Sequence, residues 1–309
     1  MTAPANGRLL GMDTMHATTD IDIFLQKVVE QGHALYRDLP WRRTQDPYAI
    51  WISEVMLQQT QVVRVVGRWQ RWIERFPTVD ALAAASSADV LEEWQGMGYN
   101  RRALALLHAA QAVSASGGLF PKGEQELRAL PGIGPATAAG IRAFSFNLHA
   151  VYLETNVRTV FLHELFPEEE DVSDRDIIPL VDATCPPDGG NDLTDPRSWY
   201  YALLDYGAYL KKVLPNPSRR SRGYTRQSRF EGSNRQKRAA VVRVLLSRRE
   251  GVSVEELAVE LSRSELAAGR EALSADDAEK LLDQLAKEGF CERERGLWHA
   301  LYPCPTVYR

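Results

Sequence analysis

Two glutamates a hundred residues apart occupy contrasting sequence environments. Glu54 projects from a largely apolar segment that follows Asp46-Pro47, a typical helix start. Desolvation there would raise the pKa of its carboxyl group and favour the protonated acid. Glu154 lies in the predicted first turn of a helix running toward Leu165, where the helix dipole favours a carboxylate, and Asn156 follows it. One acid could donate a proton while the other stabilises positive charge, as in glycoside hydrolysis. A helical glutamate taken alone is most often a solvated surface residue.

The helix that carries Glu54 is predicted to be long. Glu54, Gln58 and Gln61 fall at i, i+4 and i+7, which would place a carboxylate and two amides in line on one polar face. The opposite, buried stripe is expected to comprise Ile52, Val55, Met56, Val62, Val63, Val66 and Trp69.

A glycine-bearing turn separates two further predicted helices, 123–130 and 137–146. Its sequence is Leu130-Pro131-Gly132-Ile133-Gly134-Pro135-Ala136-Thr137-Ala138. Two glycines at a helix N-terminus expose backbone N–H groups that can hold a phosphate without a charged side chain. An ordinary turn between helices is the alternative for a lone Pro-Gly-x-Gly.

Charge is unevenly distributed along the chain. The formal net charge is −4, yet residues 211–249 contain 13 Lys and Arg against one acid, Glu231. Because Tyr224 and Phe230 are interleaved with these arginines, the segment is typical of a polyanion site. The alternative is a solvent-exposed charged loop without a binding function.

The other patterns predict an all-α main body without βαβ alternation. Residues 21–38 predict an amphipathic helix with an apolar face of Ile23, Phe24, Val28 and Val29, followed by an extended connection over 39–43. Residues 78–94 predict two short helices, with Ser87 as a cap, and 100–114 another helix. Residues 167–196 are acidic and rich in Pro, Gly and Asn, which favours loops, whereas 199–212 predict a helix.

The C-terminal part has a different pattern. Helices are predicted over 234–248, 253–261 and 274–289, with a capping box from Ser253 to Glu256, and a hairpin is predicted around Gly296. Three helices and a hairpin indicate a winged-helix-like unit. Its third helix is rich in acids, so we expect packing or protein contact rather than insertion into a DNA groove. The predicted domains are a disordered leader over 1–20, a helical core of two lobes over 21–212, a basic loop over 213–233 and this unit over 234–309.

Composition narrows the class of protein. The 309 residues are 44% hydrophobic and 25% charged, as in soluble globular proteins, and no apolar run approaches a membrane span. The N-terminal residues lack the pattern of a signal peptide. The three cysteines Cys185, Cys291 and Cys304 are widely spaced, which fits a reducing cytoplasm and no metal cluster.

Four stretches together resemble the helix-hairpin-helix base-excision DNA glycosylases, specifically the adenine-DNA glycosylase branch. They are Pro40-Trp41-Arg42, Ser53-Glu54-Val55-Met56-Leu57-Gln58-Gln59-Thr60-Gln61-Val62, Gly96-Met97-Gly98-Tyr99 with Arg102-Ala103, and Leu130 to Ala138. Their order and spacing match over roughly residues 39–212. The second stretch is highly specific, whereas the whole superfamily shares the hairpin.

The resemblance implies roles for individual residues. Glu54 takes the position of the family's general acid, Glu154 the position of its catalytic aspartate, and Asn156 follows in the same segment. Gln58 and Tyr99 are expected to fill the stack that a flipped base vacates; for Tyr99 the alternative is an ordinary half-buried core aromatic. The remaining expected DNA contacts are Gln59, Arg102, Gly132, Ile133, Gly134, Ala136, Thr137, Arg219, Arg220 and Arg222. The carbonyls of Leu130 and Ile133 are expected to hold Na⁺ or K⁺.

Several departures from the family pattern qualify what the resemblance implies. Glutamate replaces aspartate at position 154. Lyase-type relatives have a lysine where this chain has Ala136, so a monofunctional enzyme is expected. Most relatives ligate an iron–sulfur cluster after an Asp-x-Gly helix, but residues 204–212 are followed by arginines without cysteine, so no cluster is expected. The domain that recognises oxidised guanine is replaced by the winged-helix-like unit.

The sequence therefore predicts a monomeric, cytoplasmic, nucleoid-associated DNA glycosylase with no membrane partner, acting on double-stranded DNA. Its expected reaction is hydrolysis of the N-glycosidic bond of a flipped base, with adenine in a mispair as the first choice. Removal of mismatched thymine or uracil, or of another damaged base, is an alternative. Another is a non-catalytic protein that binds lesions and lost its chemistry with the change at position 154. A purely regulatory winged-helix protein is disfavoured by the run from Glu54 to Gln61.

Overall fold

The computed structural model describes residues 14–190, 194–226 and 229–302, which form a mostly helical protein with one two-stranded sheet. The first half contains α1 Thr14–Leu35, a 3-10 helix Pro40–Arg43, α2 Pro47–Leu57, α3 Val62–Arg75, α4 Val79–Ala83, α5 Ser87–Trp94, α6 Arg101–Ala115, α7 Glu124–Ala129 and α8 Pro135–Phe146. The second half contains α9 Thr155–Glu164, α10 Asp174–Thr184, α11 Pro196–Val213, a 3-10 helix Pro217–Arg220, α12 Asn234–Ser247, α13 Val254–Ala267, α14 Ala275–Lys287, β1 Cys291–Glu294 and β2 Leu297–Ala300. The predicted all-α class is confirmed.

The chain divides into two compact units, each discontinuous in sequence. Unit 1 comprises Met1–Val55, Phe120–Ala129 and Ile133–Arg226, and unit 2 comprises Met56–Leu119, Leu130–Gly132 and Gln227–Arg309. The boundary between Arg226 and Gln227 lies inside the predicted basic loop. The C-terminal helices and hairpin belong to the same unit as helices α3 to α6.

Unit 1 has an aromatic and aliphatic core between α1, α8, α9 and α11. The rings of Phe24 and Phe161 lie 4.9 Å apart, and Trp199 contacts Phe24 at 6.2 Å; all three side chains are buried. The Arg42 guanidinium donates to both carboxylate oxygens of Asp205 at 2.7 and 2.8 Å. This buried pair ties the 3-10 helix Pro40–Arg43 to α11, so the extended connection expected there was wrong.

Unit 2 has its own core. Trp72 and Trp94 meet edge to face at 5.6 Å, both fully buried. In the C-terminal part, α12, α13 and α14 bury mainly Val and Leu side chains, and β1 pairs with β2 in antiparallel register, Cys291 opposite Ala300. Ser253 and Glu256 form the predicted capping box. The three helices and hairpin predicted for this part are therefore confirmed.

The long helix predicted to carry Glu54 is in fact two helices. Helix α2 ends at Leu57 and α3 begins at Val62, so Gln58 and Gln61 do not continue the helical face of Glu54. Gln59 has a left-handed backbone with φ 55°, which no α-helix accommodates. The predicted stripe fails beyond the break: Val63 is 81% exposed, whereas Val65 is buried.

Smaller differences concern element ends. Helix α1 begins at Thr14, so residues 14–20 of the expected leader are helical, and Ile23 is exposed rather than buried. Ser86, not Ser87, caps α5 by a reciprocal capping box with Asp89. The region expected to be loop contains α10, which a capping box between Ser173 and Asp176 initiates. Among the described residues no helix is long and apolar enough to cross a bilayer.

Candidate active site and nucleic-acid contacts

Glu54 lies on α2 in unit 1 and is held by a tyrosine. The hydroxyl of Tyr152 donates a hydrogen bond of 2.9 Å to Oε2 of Glu54. Protein atoms surround the carboxyl group, although the residue keeps partial access to solvent. Burial and, to a smaller extent, the negative charge of Glu154 raise the pKa of Glu54 from 4.5 to about 8, against the opposing effect of the Tyr152 hydrogen bond. At neutral pH Glu54 is therefore a protonated acid.

The space for this carboxyl group is left by a glycine of α8. A Cβ atom at Gly140 would lie 2.5 Å from Oε2 and 3.0 Å from Cδ of Glu54, and 3.1 Å from a ring carbon of Tyr152. Any side chain at position 140 would displace the acid or the tyrosine. Neither Tyr152 nor Gly140 was predicted from the sequence as part of the site. The only available signal was a glycine in a helix interior, which often marks a close approach.

Glu154 is the N-cap residue of α9. Its Oε1 accepts a hydrogen bond of 2.7 Å from the backbone N–H of Asn156, which fixes the carboxylate at the positive end of the helix dipole. Because its charge acts on both Glu54 and Tyr152, the two glutamates belong to one cluster in unit 1. The complementary roles that the sequence suggests for the two acids require them to lie near each other, and this electrostatic coupling is consistent with that requirement.

Asn156 completes the cluster from the first turn of α9. Its Oδ1 is buried and, among the described residues, has no hydrogen-bond partner. Gly207 of α11 packs directly on the Asn156 carbonyl, and any Cβ there would overlap it. An acceptor held in this way is suited to orient a water molecule or a substrate hydroxyl.

Lys211 is a further member that sequence reasoning missed. It lies in the last turn of the Asp-x-Gly helix α11, and burial lowers the pKa of its ammonium group, while the charge of Glu154 acts in the opposite direction. The lysine and Glu154 are therefore electrostatic neighbours in unit 1.

The residues expected to fill a vacated stack lie in unit 2. Gln58 and Gln59 form the loop between α2 and α3, and Tyr99 lies in the turn before α6 with a left-handed backbone, φ 50°. Arg102 donates to the Gln58 carbonyl at 2.7 Å and to the Gly98 carbonyl at 3.1 Å, which joins this loop and turn. Burial lowers the pKa of Arg102 to about 10. Its guanidinium therefore shapes the surface that carries Tyr99 and Gln58.

The glycine-bearing turn connects α7 to α8 as predicted. Gly132 and Gly134 are exposed and Ile133 is buried, so the turn is anchored by one apolar side chain while its glycines face outward. The backbone at position 132 has a φ of 74°, which favours glycine. A Cβ atom there would lie 2.6 Å from the Ala105 side chain. Gly134 is the N-cap residue of α8 without a side-chain cap, which leaves the first N–H groups of that helix to another acceptor. Ala136 is half-buried and Thr137 is buried.

The basic loop contributes structure as well as charge. Arg220 donates to the Leu162 carbonyl at 2.6 Å and also to the Phe166 carbonyl, at the C-terminal end of α9. Arg222 forms an ion pair with Asp171 at 2.9 Å. Arg219 is exposed. Of the three arginines expected to contact DNA, Arg220 therefore binds carbonyls at the end of α9, and Arg222 binds an aspartate before α10. Net charge alone did not reveal these partners.

The residues present do not fit a four-cysteine cluster. The chain has only three cysteines, and none lies between 204 and 226. Cys185 and Cys291 are buried as free thiols, and Cys304 lies outside the described residues. In the part of the chain that the structure describes, no group of three or more His, Cys, Asp or Glu side chains could hold a metal ion.

Comparison with known proteins identifies the family. The model of the HhH-GPD superfamily of base excision DNA repair proteins matches residues 52–278, well over half of the chain. The chain therefore belongs to this superfamily, in agreement with its helical fold, its glycine-bearing turn and its pair of acids.

Relatives within the superfamily share a name. The chain is 34% identical over 226 residues to the adenine DNA glycosylase of Mycolicibacterium smegmatis, a match that covers 68% of this chain and 75% of that protein. It is 38% identical over 142 residues to the adenine DNA glycosylase of Buchnera aphidicola, covering 45% of this chain and 40% of that protein. The match to the human adenine DNA glycosylase, 39% over 134 residues, covers 40% of this chain and 24% of that protein. This chain therefore spans less than half the length of the Buchnera and human proteins.

A solved structure supports the fold. A thermostable thymine-DNA glycosylase aligns with a TM-score of 0.55 and 22% identity, over 62% of this chain and 87% of that chain. This likeness confirms the glycosylase architecture and does not bear on the choice of base.

Proposed function

We propose that this protein is a DNA glycosylase that hydrolyses the N-glycosidic bond of a base rotated out of duplex DNA, with adenine in a mispair as its substrate. The observation that carries the proposal is a buried, protonated glutamate coupled to a second acid at a helix N-terminus. The names of the relatives with 34–39% identity favour adenine.

The chemistry follows from the environments of the two acids. Glu54 donates its proton to a nitrogen of the leaving base as the bond to the sugar breaks. The Glu154 carboxylate stabilises the positive charge that develops on the sugar. Water then forms the new bond at the same sugar carbon and gives up a proton to the Glu54 carboxylate, which restores the acid. Asn156 is positioned to orient that water.

The absence of lyase activity is part of this proposal. A Schiff-base intermediate needs an amine at the reacting carbon, and Ala136 supplies none at the hairpin position. Lys211 is the alternative amine to test, because burial lowers the pKa of its ammonium group although the Glu154 carboxylate acts in the opposite direction. We therefore expect no covalent adduct with DNA after borohydride reduction; an adduct lost in Lys211→Met would identify this lysine as a nucleophile.

The expected setting is also proposed. The protein acts as a monomer on chromosomal DNA in the cytoplasm, without an iron–sulfur cluster, and a monovalent cation binds carbonyls of the Leu130–Ile133 turn. The low cysteine count supports the cytoplasmic setting and the lack of an iron–sulfur cluster. Iron analysis of the purified protein, and excision in Li⁺ compared with K⁺, test the cluster and the cation.

The experiment that tests the function is an excision assay with the full chain. Duplexes carrying adenine, thymine, uracil or a damaged base in defined pairs are incubated with protein in excess, and abasic sites are revealed by alkali. We expect product from adenine-containing mispairs, a loss of at least a hundredfold in Glu54→Gln, and no loss in Glu30→Gln, an exposed control on α1. Lesion binding without any abasic product would instead establish the non-catalytic alternative.

A further inference from the structure

Tyr152, the hydrogen-bond donor to Glu54, lies in a connection without regular secondary structure. Residues 147–154 join the end of α8 to the start of α9 and belong to neither a helix nor a strand. Where no helix or sheet supplies hydrogen bonds, buried backbone groups need partners from side chains or water. Tyr152 and Ala150 are both buried, so this requirement applies to them.

Tyr200 of α11 binds this connection at two points. Its hydroxyl donates a hydrogen bond to the Ala150 carbonyl and accepts one of 3.2 Å from the backbone N–H of Tyr152. The Tyr200 side chain is fully buried. A phenol hydroxyl can donate and accept at the same time, which a purely apolar ring cannot do. One side chain thus holds the backbone of residues 150–152 against α11.

The rings of the two tyrosines are also in contact. They meet edge to face with their centroids 5.3 Å apart. From α8, the Phe144 ring meets the Tyr152 ring edge to face at 5.1 Å. Buried aromatic pairs favour particular relative orientations. The Tyr152 ring therefore has aromatic neighbours from two helices, and Tyr200 binds its backbone as well.

The position of the Tyr152 backbone decides whether its hydroxyl reaches the acid. The hydroxyl lies at the far end of a rigid side chain and donates to Oε2 of Glu54 at 2.9 Å. A small change in the backbone of residue 152 would therefore move the phenol oxygen relative to the carboxyl group. Hydrogen bonds weaken steeply when their distance or angle leaves the favoured range. The contacts thus form a chain from Tyr200 through Tyr152 to Glu54.

The same connection ends at the second acid. Glu154, the N-cap residue of α9, follows Tyr152 by two residues, so their Cα atoms are at most about 7 Å apart. Gly207 lies about two turns beyond Tyr200 on α11 and packs on the Asn156 carbonyl. Helix α11 therefore holds the chain on both sides of Glu154, through Tyr200 before it and through Gly207 after it.

Several titratable groups lie around the two tyrosines. They are Cys185 and Asp182 on the Tyr200 side, and Glu54, Glu154 and Tyr201 on the Tyr152 side. Burial raises the pKa of Tyr152 and of Tyr200 above the ordinary phenol value of 10, and it raises the pKa of the Cys185 thiol above 9. These three groups therefore keep their protons at the pH values where Glu54 loses its own.

We propose that Tyr200 is a positioning residue for the proton donor: its hydroxyl fixes the backbone of Tyr152 so that the Tyr152 hydroxyl meets the Glu54 carboxyl group. The effect on rate rests on the proposed glycosylase function, in which Glu54 is the acid. The effect on the Glu54 carboxyl group itself can be measured without the reaction.

Single-turnover excision of adenine by the full chain tests the proposal. Tyr200→Phe keeps the ring but loses both hydrogen bonds, so we expect the rate to fall about tenfold. The alkaline limb of the pH–rate profile should move to higher pH, because a displaced Tyr152 hydroxyl stabilises the Glu54 carboxylate less. Tyr206→Phe removes another buried hydroxyl of α11, which donates to Glu164, and should match the wild type in both respects.

A double-mutant cycle shows whether Tyr200 acts through Tyr152. In the Tyr152→Phe background, Tyr200→Phe should lower the rate by less than about twofold and leave the alkaline limb in place, since the hydroxyl that it positions is absent. A further tenfold loss in that background would mean that Tyr200 supports the fold in general, and it would overturn the proposal. A wild-type rate in Tyr200→Phe alone would overturn it as well.

The pKa of Glu54 gives a readout that needs no catalysis. In protein carrying an NMR-active carbon isotope at its glutamate carboxyl groups, the Glu54 resonance is the one missing from Glu54→Gln, and its titration measures the pKa. We expect Tyr200→Phe to raise this pKa and Tyr206→Phe to leave it unchanged. An unchanged pKa in Tyr200→Phe overturns the inference even if the protein excises adenine. If the wild type excises no base but Tyr200→Phe raises the pKa, the proposed function falls and the positioning contact stands.

Discussion

The hydroxyl of Tyr152 donates a 2.9 Å hydrogen bond to Glu54, which precedes it by 98 residues in the chain. The bond holds a protonated acid at one orientation, and Gly140 leaves the room that the carboxyl group occupies. A buried carboxyl group that must transfer a proton depends on such a positioning partner, because small displacements of a reacting group are costly.

Removing the tyrosine hydroxyl should change the pH dependence of excision. Phenol donation favours the charged carboxylate, so Tyr152→Phe should raise the pKa of Glu54 and move the alkaline limb of the pH–rate profile to higher pH. The rate at pH 6 should fall about tenfold because the acid loses its fixed orientation. Single-turnover excision from pH 5 to 9 measures both effects. Tyr209→Phe, at an exposed position of α11, is the matched control.

The Gly140→Ala substitution should remove excision activity without unfolding the protein. The new Cβ would lie 2.5 Å from Oε2 of Glu54, so the acid must move, and a displacement near 1 Å costs on the order of a hundredfold in rate. Gly67→Ala is the control, because no atom lies within 4 Å of its added Cβ and alanine favours the helix. Equal activity of the two variants would show that Gly140 does not position the acid.

The Glu154→Asp substitution tests whether the active site is adapted to glutamate or whether glutamate at this position has impaired the enzyme. Shortening the side chain in Glu154→Asp keeps the charge and a good N-cap residue but withdraws the carboxylate by about one bond length. In a site adapted to glutamate, excision should fall about a hundredfold. A faster variant would mean that glutamate had impaired the reaction. Glu255→Asp, exposed in the first turn of α13, controls for the substitution itself.

The sequence located the two acids but not what holds them. Glu54 and Glu154 could be predicted because each lies in a recognisable local pattern, a helix after Asp-Pro and a helix start. Tyr152 and Gly140 could not, since their contacts with Glu54 join segments far apart in the chain and leave no periodic signal.

Local patterns also misled in identifiable ways. Gln58 and Gln61 have helical spacing from Glu54, yet the left-handed backbone of Gln59 ends the helix before them. Arg220 and Arg222 count as cations in a basic loop, but they bind Leu162 and Asp171, which come near only after folding. Spacing and charge report which groups a segment offers, and tertiary structure decides which partner each one meets.

The proton on Glu54 should make stability depend on pH. Folding raises the pKa of Glu54 from 4.5 to about 8, so its contribution is fully present below pH 4.5 and is lost as pH rises through 8. Glu54→Gln cannot ionise and avoids this loss. The variant should therefore be more stable than the wild type by on the order of 4 kcal/mol at pH 8, and by almost nothing near pH 4.5. Urea unfolding at pH 4.5 and pH 8 measures the free energy of unfolding of both proteins. If the variant and the wild type differ by the same amount at both pH values, Glu54 has no raised pKa.

The most direct measurement is the single-turnover rate of adenine excision as a function of pH, for the wild type and Glu54→Gln. We predict a wild-type rate that is level in mildly acidic solution and falls about tenfold per pH unit above about 8, as the Glu54 proton is lost. The variant should be slower by at least a hundredfold and lack that limb. A Glu54→Gln variant that excises adenine at the wild-type rate with the same pH profile would contradict the assignment of Glu54 as the acid.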